Sequence, residues 1–177
     1  MGAEEKADTS VLYAQPSSDI VVVRIVGKGS FQNSESLVAL WEQFGDKEHQ
    51  ARFILDLEKC STMDSTFLGV VAQISISQRR IGYGNLVVVN TREQVEKLFK
   101  TLGLSYILDI RGELAPEEDV DGAFLPATAP AFNRMEKTIN MLQAHKTLID
   151  LDSKNKVKFK SVVDQLEKSV EQQKKKE

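Results

Sequence analysis

Four short apolar runs, "IVVVRIV" (20–26), "RFILDL" (52–57), "NLVVVN" (85–90) and "SYILDI" (105–110), are separated from one another by single segments of helical periodicity. That alternation is the strongest constraint on the fold. β-Branched residues lose χ1 freedom in a helix but pack well on a pleated surface, so the runs read as strands. Between them Leu37, Leu40, Trp41 and Phe44, then Leu68, Val71, Ala72, Ile74 and Ile76, then Val95, Leu98, Phe99 and Leu102 recur at three-four spacing. Asn33 or Ser34 marks the start of the first helix, and Gly45 and Gly103 end the first and third. Strands alternating with single helices imply an α/β layer with parallel pairings. The first run is almost continuously apolar, which suits a strand central in its sheet, and the residues before it read as a polar leader. The expectation from the pattern is an α/β fold, with the helices on one face of the sheet or on both.

Beyond Arg111 the pattern breaks into "RGELAPEEDVDGAFLPATAP", which holds three of the four prolines and five acids. It reads as a linker or an ordered acidic loop. Phe132, Met135, Ile139, Leu142 and Ile149 then resume a helical stripe, and after a turn at 152–155 so do Phe159, Val163, Leu166 and Val170. The chain therefore divides into a body over 1–111, a Pro-rich acidic linker or loop over 112–131 and a helical hairpin over 132–177. Each hairpin stripe needs cover, either on the body or against a partner, and docking on the body is the more frequent outcome.

Composition removes several function classes. The chain is 41% hydrophobic and 28% charged, as an ordinary folded domain is. Residues 153–177 carry eight lysines against four acids although the whole chain has a net charge of −3. That Lys-rich end lacks the arginine and interleaved aromatics of a nucleic-acid tail, so no nucleic-acid partner is expected. No apolar run reaches the length of a membrane span, no secretory leader pattern opens the chain, and the single Cys60 suits a reducing compartment; a cytoplasmic protein is expected. His49 and His145 have no second ligand at metal spacing and read as solvent-exposed, so no metal or cofactor is expected. Neither a phosphate-binding glycine loop nor a nucleophile elbow occurs, Cys60 reads as a small buried hydrophobe, and Asp56 reads as a strand-end carboxylate bonded to nearby backbone. No catalytic residue emerges.

What remains is "CSTMDSTFLG", where Ser61, Thr62, Asp64, Ser65 and Thr66 gather where the second helix begins. A helix N-terminus has unpaired N–H groups and a partial positive charge, which makes it a seat for an anion. A phosphate on Ser65 would bring roughly −1.5 to −2 charges to that seat. Gly69, one turn further on, most simply lets the helix approach the sheet closely.

"MDSTFLG" resembles the Met-Asp-Ser-Ser/Thr-Gly-Leu-Gly signature of the STAS domain, the module of bacterial anti-sigma-factor antagonists and of sulphate-transporter tails. The string "VRIVG", "FILDLEKCSTMDS" and "LVVVNTREQVEKLFKTLGL" follows the family's order over about 10–111. The resemblance implies a STAS-like α/β fold, with a central mixed β-sheet of about four to five strands, packed helices and here a C-terminal helical hairpin, and a non-enzymatic phosphoprotein of signal transduction and transcription regulation. Ser65 would be its phosphorylation site, and Asp64, Ser65, Thr66, Phe67, Leu68 and Ser30 its partner-binding residues. The partner it implies is an anti-sigma factor that is also the serine-protein kinase, with a phosphatase to reverse the modification; the stripes of the C-terminal helices add a homodimer as a further candidate. Phe67 stands where the signature has glycine and Ser30 where many antagonists have aspartate, and the hairpin exceeds the bare antagonist domain. An alternative expectation is a constitutive STAS scaffold or subunit of a lipid-transport or stress-signalling assembly, with the hydroxyl cluster only a helix start.

Overall fold

A computed structural model describes residues 9–46, 48–120 and 122–176. Strands β1 (Ser10–Ser17), β2 (Ile20–Gly29), β3 (Arg52–Asp56), β4 (Cys60–Met63), β5 (Leu86–Val89), β6 (Leu108–Arg111) and β7 (Leu125–Pro126) form one mixed sheet. Its order is β6-β5-β3-β2-β1-β7, with β4 paired to the end of β2. The pairs β2–β3, β3–β5 and β5–β6 are parallel, while β1 is antiparallel to β2 and β7. Where a polar leader is expected, the chain from Ser10 onward forms a strand. Its polar ends and Pro16 hide the pattern, and the register slips between Ala14 and Ser17, where a proline can sit without breaking a ladder. The short β4 and β7 had no detectable period of their own.

Helices α1 (Ser34–Leu40), α2 (Ser65–Arg80) and α3 (Glu93–Leu102) share one face of the sheet, and α1 continues into a π-helical turn at Trp41–Gly45. Val21, Val23, Ile25, Phe53, Leu55 and Val88 meet Leu37, Val71, Phe99 and Leu102 in a single core on that side. The opposite face presents Ile20, Val22, Ile54, Val87 and Val89, and among the described residues no α-helix packs on it. The 112–126 segment does, through Leu114, Val120 and Phe124.

The segment is therefore a strap across the sheet and no free tether. Glu118, 1% exposed, pairs with Arg52 at 2.7 Å and accepts the Ala115 amide at 2.9 Å. Phe124 lies under the Arg24 guanidinium, 4.1 Å from carbon to ring centroid. Arg24 also binds Asp56 at 2.6 Å, and Asp56, fully buried, accepts from Asn90 at 2.9 Å and from the Glu58 amide at 3.1 Å. Asp56 is a knot in the sheet and has no unused acceptor side facing solvent.

The hairpin consists of α4 (Arg134–Leu151) and α5 (Asn155–Lys174). Asn133 opens α4 with a reciprocal box, accepting the Glu136 amide at 2.9 Å while Glu136 accepts its own at 2.7 Å. Lys146 pairs with Glu167 at 2.6 Å and Gln173 donates to Thr138 at 3.1 Å, which ties the two helices to each other. Helix α4 docks on the body of the same chain through a different face from the apolar stripe: Thr138, Asn140, Ala144, His145 and Leu148 are buried, with Ala144 and Leu148 in the core, while Phe132, Met135, Ile139, Leu142 and Ile149 are only partly buried, because small and polar side chains let α4 come close to α2. Buried Asn155 donates to the Leu102 carbonyl at 2.9 Å and to the Leu148 carbonyl at 2.7 Å, fastening the hairpin turn to the end of α3.

We expect a chain ended after Thr128 to unfold cooperatively, since strap and sheet would be intact. One ended after Ala115 loses Glu118 and Phe124 and should be at least about 2 kcal/mol less stable, because charge-assisted bonds inside a fold are worth that much. Urea denaturation of the two chains checks the comparison, and equal midpoints would mean that the strap contributes nothing.

Candidate functional site

The start of α2 is organised by Asp64. Its Oδ1 accepts the Phe67 amide at 2.9 Å, which caps the helix, and its Oδ2 accepts the Phe31 amide at 2.8 Å, which fixes the β2–α1 loop. The Asp64 amide in turn donates to the Gly29 carbonyl at 2.8 Å. Asp64 is the cap, so none of the surrounding hydroxyls needs to be. Ser65 occupies the first helical position and is half-buried.

The Ser65 hydroxyl is bonded to a residue that sequence reasoning had placed in solvent. Its Oγ lies 2.9 Å from Nε2 of His145, which is only 4% exposed. His145 Nδ1 is 2.7 Å from the Met141 carbonyl. A carbonyl can only accept, so in the neutral ring Nδ1 carries the proton and Nε2 accepts from the Ser65 hydroxyl. The Phe159 ring stands edge-on to the imidazole, with centroids 5.2 Å apart. No signal in the sequence joins positions 65 and 145, because the contact exists only once the hairpin is docked. His49 is exposed, as expected.

The other partner-binding candidates lie mostly beneath the surface. Phe67 is fully buried and its ring packs over Gly29, where an added Cβ would stand 2.8 Å from Cδ1. The ring fills that space and is turned into the core, away from the surface. Thr66 and Leu68, at 3% and 1% exposure, also belong to the interior. Ser30, 7% exposed, builds the loop: its amide donates to Asn33 Oδ1 at 2.8 Å and its Oγ accepts the Gln32 amide at 3.3 Å. In this conformation only Asp64 and Ser65 of the six retain partial exposure. Phe31, 49% exposed beside Asp64, is an outward apolar side chain that the sequence pattern did not single out.

Gly69 also has a different purpose from the expected one. A Cβ there would meet α4, 2.6 Å from both the carbonyl carbon and the Cβ of Ala144 and closer still to the Ala144 carbonyl oxygen. The glycine admits the hairpin, while the sheet side of α2 is filled by Leu68, Val71 and Ala72.

Ser65 and His145 form a nucleophile and base pair in outline, but the surroundings do not complete a hydrolase. His145 is oriented by a backbone carbonyl where such a pair usually has a carboxylate. A groove of about 390 Å³ between the far ends of α2 and α4, lined in part by Arg79, Arg80 and Asp150, and one of about 400 Å³ beside Trp41 and Gly45 do not reach Ser65. Among the described residues no cluster of His, Cys, Asp or Glu could hold a metal ion, and no helix is long and apolar enough to cross a membrane. Cys60 is buried, and burial pushes its thiol up.

The family model of the STAS domain matches residues 13–118. Two solved structures share the fold. One, a candidate anti-sigma factor antagonist from Thermotoga maritima, is 23% identical, with 58% of this chain and 86% of that chain covered and a TM-score of 0.51. The other, the anti-sigma factor antagonist SpoIIAA in its unphosphorylated form, is 17% identical, with 59% of this chain and 90% of that chain covered and a TM-score of 0.51. A search of curated proteins finds no match.

Asp64→Ala should cost about 2 to 3 kcal/mol, from loss of the cap and of the loop tether together, whereas Asp64→Asn, which keeps one acceptor oxygen, should cost about 1 kcal/mol. Denaturant titration measures both, and equal losses would mean that the Phe31 tether is unimportant. Cys60 should resist an aromatic disulfide reagent at pH 8 in the folded protein and react on unfolding; fast labelling of the native chain would contradict its burial.

Proposed function

Because the chain belongs to the STAS-domain family, we propose that it is a non-enzymatic binding module of the anti-sigma-factor antagonist type, switched by phosphorylation of Ser65. One observation carries this: Asp64 satisfies the start of α2, which leaves the half-buried Ser65 hydroxyl at the first helical position without a duty to its own helix. A dianion at that position meets the positive end of α2. The same charge changes the surface formed by Asp64, Ser65 and the neighbouring Phe31, which is where an anti-sigma factor acting as serine-protein kinase would bind. A phosphatase would reverse the change. The cytoplasm is the compartment in which such an exchange operates.

A second reading, a constitutive STAS scaffold or subunit of a lipid-transport or stress-signalling assembly, is favoured by one feature. The hairpin lies against Ser65 and Gly69, and Phe67 is turned into the core.

The two separate on modification and binding. Phosphopeptide mapping of protein purified from its own host should find phosphate on Ser65, and Ser65→Ala should bind the kinase yet resist modification. Ser65→Asp should weaken capture by an order of magnitude or more, since an unmatched interfacial charge costs about 2 kcal/mol. Persistently unmodified protein, with a partner that binds the Asp variant as well as wild type, would leave the scaffold.

A further inference from the structure

We propose that the α4–α5 hairpin is a displaceable cover on α2, latched by the bond between Ser65 and His145, so that a charged group on Ser65 and a docked hairpin exclude one another. The proposal deepens the reading of Ser65 as the regulated position and rests on it. Ser65, Gly69 and Gln73 lie four residues apart and form one ridge on the outer side of α2. Each is met by α4: Ser65 by His145 at 2.9 Å, Gly69 by the backbone of Ala144, and Gln73 by Thr147 at 3.2 Å. A partner approaching this side of α2 meets the hairpin first.

The imidazole is held on three sides. Nδ1 is held by Met141, Phe159 stands against the ring, and the Nε2 lone pair points at the Ser65 oxygen. A phosphoryl or carboxylate group on residue 65 removes the hydroxyl proton that Nε2 accepts and places further oxygens in a gap closed to one hydrogen bond; the neutral ring has no proton on Nε2 to offer them, and only a second proton taken up there would let a docked hairpin answer the charge. The imidazole cannot swing aside while α4 stays in place.

Release is compatible with the remaining contacts. Besides Ala144, Leu148, Leu151 and Phe159, which pack on the core, and Asn155, which bonds the Leu102 carbonyl, the junction holds polar pairs that water can replace. Asn140 donates to the Ser34 hydroxyl at 3.1 Å, the Phe132 amide to Glu35 at 3.0 Å, and Lys137 lies 3.6 Å from the other Glu35 oxygen. The hairpin holds together through its own pairs and lies outside the matched family region, 13–118. The strap closes the sheet's other face without it.

Hydrogen exchange on the full chain tests the cover without any partner. In S65E the amides of 134–174 should exchange at least ten-fold faster than in wild type, while those of β2, β3 and β5 stay unchanged. G69V, which removes the room for Ala144 without adding charge, should give the same pattern and supplies the undocked reference. A hairpin that keeps its protection in either variant overturns the proposal. So does hairpin exchange that accelerates together with the sheet, because the hairpin is then part of one cooperative unit. The absence of phosphate on Ser65 in protein from its host would remove the phosphorylation switch and leave the exchange result standing, whereas an unchanged S65E hairpin removes the cover and leaves the switch.

Discussion

The carboxylate of Asp64 is the tie on which the α2 end of the molecule depends. A carboxylate accepts and cannot donate, so its two oxygens can hold amides from two segments at once, here Phe67 in α2 and Phe31 in the β2–α1 loop. The arrangement sets the direction in which α2 leaves the sheet and keeps the loop against its first turn. It also relieves Ser65 of the capping role that a serine commonly fills. The hydroxyl is thereby free to reach across to His145, eighty residues later in the chain.

Helix α2 has two unlike sides, and both are used. The inner side is apolar and fits the sheet, as burial of Leu68, Val71, Ala72 and Ile74 requires. The outer side is small or polar at Ser65, Gly69 and Gln73, and α4 approaches along it to backbone contact at Gly69. Apolar burial alone is indifferent to small slips, but hydrogen bonds are directional, so the pairs from Ser65, Gln73 and Ser34 fix α4 in one register. The cost of burying those polar atoms is offset because each has its partner.

The opposite face of the sheet solves the same problem without a helix. Asp56 and Glu118 are buried carboxylates, each facing a guanidinium that remains partly accessible, at 20% and 24% side-chain exposure. That sharing of solvent reduces the desolvation that a fully buried ion pair would incur. Arg24 serves two neighbours, binding Asp56 with its nitrogens while its plane covers Phe124. A lysine at position 24 could not do both, because an ammonium has no flat face to stack.

The sequence alone settled the alternation of strands and helices, the glycine end of α3, the presence of two hairpin helices and the position of Asp64 and Ser65 at a helix start, because each is written in a local period or in a contiguous motif; the face by which α4 docks is not its apolar stripe. It did not determine β1, β4 or β7, whose hydrogen bonds are borrowed from neighbouring strands and leave little trace in their own residues. Nor could it distinguish the inward turn of Phe67 from an outward one, since that depends on the absence of a Cβ at Gly29. His145 looked like an exposed tail residue and Gly69 like a concession to the sheet. Only the docking of α4 on α2 decided otherwise, because a contact between positions 65 and 145, or between 69 and 144, is made by three-dimensional proximity and has no counterpart in spacing along the chain.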